Sequence, residues 1–139
     1  NAERLKPVMT LESAVISVRT LDAGETVGYG RNWTAQRRST IATVAIGYGD
    51  GYPRQTPNGT PVFINGQQAA LAGHVSMDMI TVDVTDLDSV EVGDQVELWG
   101  HHIALNEVAE RVGTISYELV TRMPQRTPRV YIDTEKDTV

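Results

Sequence analysis

The chain is 139 residues long, a length that suits one domain, and 40% of it is apolar, enough for a single core. Eighteen acidic against twelve basic residues leave a net charge of -6, and the basic ones are dispersed, which argues against a nucleic-acid surface. Cysteine is absent, which excludes disulfides and thiolate-metal sites, and no apolar run approaches the roughly 18 residues of a membrane span. The three histidines lack metal-ligand spacing, and the adjacent His101 and His102 read as an exposed loop pair.

The first predicted strand covers residues 9–21, rich in Thr, Val and Ile with partial alternation. A turn at Gly24 follows, then a short extended piece, "TVGYG". Residues 40–46 form a β-branched run that breaks at Gly47 into an irregular loop, "GYGDGYPR". A strand at 60–66 ends in Asn65-Gly66, the pair that a two-residue hairpin turn favours, and "QQAALAGH" is its return strand. Residues 75–84 alternate, with Val75, Met77 and Met79 opposite Ser76 and Asp78, and are predicted as strand. A Gly93-Asp94 turn leads into another. Leu105, Val108, Ala109 and Val112 have helical spacing, and Gly113 stands where a C-terminal cap belongs. A second short helix starts near Ser116, its expected N-cap, with Leu119 and Val120 turned inward. "TPRVYID" is predicted as a closing strand. The pattern predicts a mainly β domain, a closed barrel or a sandwich, with two short helices near its C-terminal end.

With few histidines and no cysteine, tyrosine is the acid–base group left to consider. A phenol has an ordinary pKa of about 10 and works near neutrality only beside cations or donors that stabilise the phenolate. Tyr29 sits between glycines, with Arg31 two residues on. Residue types leave two readings open: a reactive phenol, or an aromatic plug at a barrel end. Asp50 reads as a turn former or a ligand, Met77 as a core residue beside Asp78, and Tyr117 as a half-buried aromatic or part of an anion pocket. The glycines of "GYGDGY" are not followed by an amphipathic helix, so a dinucleotide-binding reading fails its context.

The stretches "VGYGRNW", "AIGYGDGYPR", "NGTPVFING", "AGHVSMDMITVDV", "GDQVELWG" and "TISYELVTRMPQRTPRVY", in this order and spacing, resemble the bacterial alanine racemases. The resemblance covers essentially the whole chain and corresponds to that family's C-terminal β domain, which implies a closed Greek-key-like barrel. It implies a cytoplasmic homodimeric enzyme that interconverts L- and D-alanine for peptidoglycan precursors. Its cofactor is pyridoxal 5′-phosphate, held as a Schiff base on a lysine of an N-terminal barrel domain. The β domain of one subunit covers the barrel mouth of the other, so the implied partners are the barrel domains of its own and the partner subunit and the substrate alanine. Neither nucleic acid nor membrane is implied as a partner.

Residue by residue, Tyr29 matches the tyrosine that takes the α-proton of L-alanine. Met77 matches the methionine whose backbone N–H binds the substrate carboxylate, and Asp78 flanks it. Tyr48 matches a tyrosine at the substrate entrance. Arg54, Ile115 and His74 match entrance positions further out, His74 standing where many relatives have Arg. Ser76 stands where some relatives have Cys. Tyr117 matches the tyrosine that bonds the cofactor phosphate. Nothing resembles the cofactor-lysine motif, and Lys6 and Lys136 are the only lysines. The chain is therefore expected to be one domain of a longer enzyme, inactive alone and with an apolar exposed face. Two other readings stand beside this one: a β-barrel interaction module, and a racemase of broader amino-acid specificity.

Overall fold

The computed structural model describes residues 9–27 and 32–131. Eight strands come first: β1 (Leu11–Leu21), β2 (Thr26–Val27), β3 (Trp33–Thr34), β4 (Ser39–Val44), β5 (Pro61–Ile64), β6 (Gln67–Leu71), β7 (Ile80–Asp83) and β8 (Gln95–Trp99). Helices α1 (Leu105–Val112) and α2 (Ser116–Thr121) follow.

Six of the strands close into an antiparallel barrel in the order β1-β4-β7-β6-β5-β8. The run β4-β7-β6-β5 is a Greek key: β5, β6 and β7 are consecutive neighbours, and β4 returns beside β7 through the long connection 45–60. Closure depends on β1. Its first half pairs with β8 and its second half with β4, and its register shifts between Val15 and Ser17, where the strand bends from one seam to the other. The choice between barrel and sandwich that the strand spacing left open is thus a barrel.

The core follows the strand period. Ile80 and Val82 of β7, Val62 and Ile64 of β5, and Val96 and Leu98 of β8 are buried, with Val15, Ala42 and Val44 packed among them. Trp99 closes one part of this core with Tyr52, their rings stacked at 6.2 Å. Tyr52 is therefore the plug of the glycine-rich loop, and burial pushes its phenol above its ordinary pKa. At the β5–β6 turn, Asn65 and Gly66 both have positive φ (52° and 77°), as the dipeptide predicts. A smaller cluster of Leu21, Val27, Ala35 and Ile41 lies beneath the ribbon made by β2 and β3.

Four local expectations are corrected. Residues 75–79 are loop, and β7 begins only at Ile80, because Ser76 closes a local turn: its hydroxyl donates to the Met79 carbonyl at 2.8 Å and accepts from the Met79 N–H at 3.1 Å. Ser116 is the first residue of α2 and Ile115 its N-cap, while Val120 is exposed and only Leu119 turns inward. Residues 127–131 form no strand, and the remainder of "TPRVYID" lies outside the described residues.

The turn after β8 is fastened by Glu97. Its carboxylate accepts from the backbone N–H groups of His102 and Ile103, each at 2.7 Å, and from His102 Nδ1 at 3.2 Å. The His102 ring lies flat on Phe63, and His101 is exposed beside it. Burial raises the Glu97 pKa, but these donors outweigh it and hold the carboxyl below the ordinary glutamate range. A depressed carboxylate adds stability above its unfolded pKa and loses it as pH falls through the folded one. Urea midpoints of wild type and Glu97→Gln should therefore lie apart at pH 7 and draw together as the pH falls below about 4.3, the ordinary glutamate value. A gap unchanged from pH 7 to pH 3 would contradict this role.

Candidate functional site

Two loops at one end of the barrel carry most of the sequence-predicted residues. The first leaves β4 at Ala45 and makes one 3-10 turn, Tyr48–Asp50. The second is the 72–79 connection between β6 and β7. They are joined backbone to backbone: the Tyr48 N–H donates to the Ser76 carbonyl at 3.0 Å, and the Gly49 N–H to the Met77 carbonyl at 2.9 Å. This approach explains the glycine at position 47. A Cβ there would lie 2.2 Å from the Ser76 carbonyl oxygen and 2.5 Å from that of Met77.

The pairing also orients the Met77 N–H. In a trans peptide the C=O and N–H point in opposite directions. With the Ser76 carbonyl committed to Tyr48, the N–H of the same peptide, which belongs to Met77, points away from the first loop. Among the described residues nothing accepts from it. A backbone N–H left unpaired at an exposed loop is a donor available to a ligand. Met77 is 49% exposed, so it is not the core residue that its strand-like spacing suggests.

Asp50 shapes the first loop. One carboxylate oxygen accepts from the Gly47 N–H at 3.0 Å, and the Thr127 hydroxyl donates to the Asp50 carbonyl at 2.7 Å. It is a turn former, as one reading held, but it bonds three residues back rather than two ahead. Its other oxygen meets Arg126, whose Nε donates at 2.9 Å, while Nη2 of the same guanidinium donates to Asp78 at 3.0 Å. Hydrogen bonds to Asp50 and then to Asp78 hold the Arg126 pKa above its ordinary value. Arg126 lies within the motif "TISYELVTRMPQRTPRVY", but nothing local singles it out, since its partners lie 76 and 48 positions away. Tyr48 is exposed, and the Arg54 guanidinium lies 5.4 Å above its ring centroid, a cation–π arrangement.

The helices border this end. Met123 and Pro124, just past α2, pack on Gly51, and a cleft of about 210 Å³ runs between residues 51–55 and the helices. The cleft is lined by Pro53, Gln55, Thr114, Glu118, Leu119 and Arg122, among others, and by none of the predicted site residues. Those stand outside it: Ile115 is 65% and Tyr117 73% exposed, and the Tyr117 hydroxyl has no partner among the described residues. His74 is exposed beside Val75, without a hydrogen bond among the described residues.

Tyr29 and Arg31 fall in the 28–31 segment, outside the described residues. The flanks of that segment are described. Val27 pairs with Trp33 across the β2–β3 ribbon. Asn58 Nδ2 donates to the Asn32 carbonyl at 3.0 Å, and Asn58 Oδ1 accepts from the Gly73 N–H at 2.8 Å. One side chain thus ties the base of the Tyr29 connection to the start of the loop that carries His74 and Met77. Asn58 lay within a quoted motif but was not singled out, because its partners are 26 and 15 residues distant.

Residues 8–131 match the family described as "Alanine racemase, C-terminal domain". An alanine racemase of Alteromonas mediterranea is 59% identical over 124 residues, which cover 89% of this chain and 35% of that protein. Among solved structures, the biosynthetic alanine racemase of Pseudomonas aeruginosa superposes with a TM-score of 0.90 at 51% identity, over 93% of this chain and 36% of that one. The alanine racemase of Bartonella henselae, solved with covalently bound pyridoxal phosphate, gives a TM-score of 0.84 at 44% identity, over 88% of this chain and 34% of that one. The chain spans about a third of the length of the relatives it matches. No helix among the described residues is long and apolar enough to cross a membrane.

Proposed function

The chain belongs to the alanine racemase C-terminal domain family, and from that premise we propose that it is the β domain of a longer, cytoplasmic enzyme interconverting L- and D-alanine. The observation that carries this reading is the Met77 N–H, free of any acceptor among the described residues and turned away from the first loop by the Ser76–Tyr48 bond. An N–H at an exposed loop is what a substrate carboxylate needs. Asp78 stands beside it, and Tyr48 with Arg54 forms the rim past which a small amino acid enters.

Pyridoxal 5′-phosphate fits this chain only at its edge. The exposed Tyr117 hydroxyl, unpartnered among the described residues, is a donor for the phosphate, and the covalent anchor is a lysine of the N-terminal barrel domain. When bound, the cofactor spreads the charge left behind by the α-proton and so lowers the barrier to its loss. This chain's share is the second of two bases. The Tyr29 phenolate accepts the α-proton on one face and returns it as a phenol in the reverse direction, and the Met77 N–H holds the carboxylate so that Cα faces Tyr29.

The exposure of Tyr48 and Met77, and of Ile115 and Tyr117, supports two sites at different edges of the domain, each completed by another surface. In a homodimer, that surface is the barrel domain of the partner subunit for Tyr29, Met77 and Tyr48, and of the same subunit for Tyr117. Ile115 and His74 border the approach.

The longer protein, assayed with L-alanine, should form D-alanine, lose activity when pyridoxal 5′-phosphate is removed and regain it when the cofactor is restored. Activity that is indifferent to the cofactor, or absent in both alanine directions, would sink the reading.

A further inference from the structure

We propose that Arg126 is a positioning residue of the substrate site: its guanidinium clamps the Tyr48 loop to the Met77 loop and so fixes the direction of the Met77 N–H. The inference rests on the reading that this N–H receives the substrate carboxylate.

The geometry is that of a fork. Nε reaches Asp50 on one loop at 2.9 Å, and Nη2 reaches Asp78 on the other at 3.0 Å. The same Nη2 approaches the Met77 carbonyl at 3.5 Å, an oxygen that already accepts from Gly49. Both peptides flanking Met77 are thereby held, the one before it by Tyr48 and the one after it by Gly49 and Arg126. The clamp also settles charge. Without the guanidinium, two carboxylates would stand across the seam between the loops, each disfavouring the other.

The clamp is itself supported. Arg129 donates to the carbonyls of Met123 at 3.0 Å and of Pro124 and Thr127 at 3.2 Å, which folds residues 123–127 into the turn that presents Arg126. Lysine is no equivalent at position 126, since a single ammonium on a flexible stem lacks the planar fork that spans both carboxylates.

The test uses the full-length enzyme with Arg126→Ala and Arg126→Lys, reading kcat and KM for L-alanine alongside amide hydrogen exchange. Arg126→Ala should raise KM about tenfold or more with a smaller change in kcat, the order expected when binding geometry loosens. It should also speed exchange at the Tyr48 and Gly49 amides about tenfold or more while the barrel amides of Ile41 and Val82 keep their rates. Arg126→Lys should fall between wild type and Ala in both readouts. If the Ala variant does not fold, the Lys variant decides, by the same paired change or its absence. A KM within twofold of wild type, or faster exchange spread through the barrel, would overturn the clamp. An inactive wild-type parent would count against the racemase reading alone, and the exchange rates would still decide whether Arg126 locks the loops.

Discussion

Tyr29→Phe in the full-length enzyme should lower the turnover of L-alanine about 10³-fold, within the range of a lost general base. That corresponds to about 4 kcal/mol of transition-state stabilisation. The substitution removes one oxygen and keeps the ring, so the proton-accepting atom is lost with little change in side-chain volume. Cofactor content should stay near wild type, because the phosphate contact proposed for this domain is that of Tyr117. An ordinary phenol is almost entirely protonated at neutral pH, so the proposed base needs neighbouring cations or donors that stabilise its phenolate. A Tyr29→Phe enzyme that turns over within tenfold of wild type would remove Tyr29 from the chemistry.

The second large effect is expected at Gly47. Its backbone is extended, at φ -147°, so the obstacle to a side chain is contact and not conformation. A methyl group would meet the Ser76 and Met77 carbonyl oxygens at 2.2 and 2.5 Å, and both are backbone atoms that move only with their loop. To admit it, the two loops must separate by about 1 Å, stretching the Tyr48–Ser76 and Gly49–Met77 bonds together; overpacking of this kind costs about 1–3 kcal/mol. The same displacement would carry the Met77 N–H off its aim, and misplacement on that scale lowers catalysis about 10²-fold. Gly47→Ala should therefore lower both the urea midpoint and kcat/KM for alanine. A kcat/KM within threefold of wild type would show that the joined loops do not set the substrate geometry.

What the sequence discloses and what it conceals divide by distance along the chain. The Asn65-Gly66 turn and the α1 helix are legible because their determinants are local: two residues that tolerate positive φ, and apolar residues at helical spacing that end at Gly113. The strand misread at 75–79 has an alternating pattern and a competing local hydrogen bond, and Ser76 decides between them. The closed barrel was only one option because closure rests on β1 pairing with two strands, one of them about eighty residues downstream. The candidate site divides the same way. Tyr48, Met77, Asp78 and Tyr117 could be marked by motif. Arg126 and Asn58 act through partners that only the fold brings near, and no spacing announces them. Val120, assigned inward by periodicity, is exposed on a short helix.

The central claim is that this domain supplies the base on one face of the substrate and that a second base, elsewhere in the enzyme, serves the other. Exchange of the α-hydrogen with deuterated water, followed separately from L-alanine and from D-alanine in the Tyr29→Phe enzyme, tests it most directly. The account predicts that exchange from L-alanine is lost while exchange from D-alanine persists. Equal exchange from both enantiomers, whether equally fast or equally slow, would contradict it.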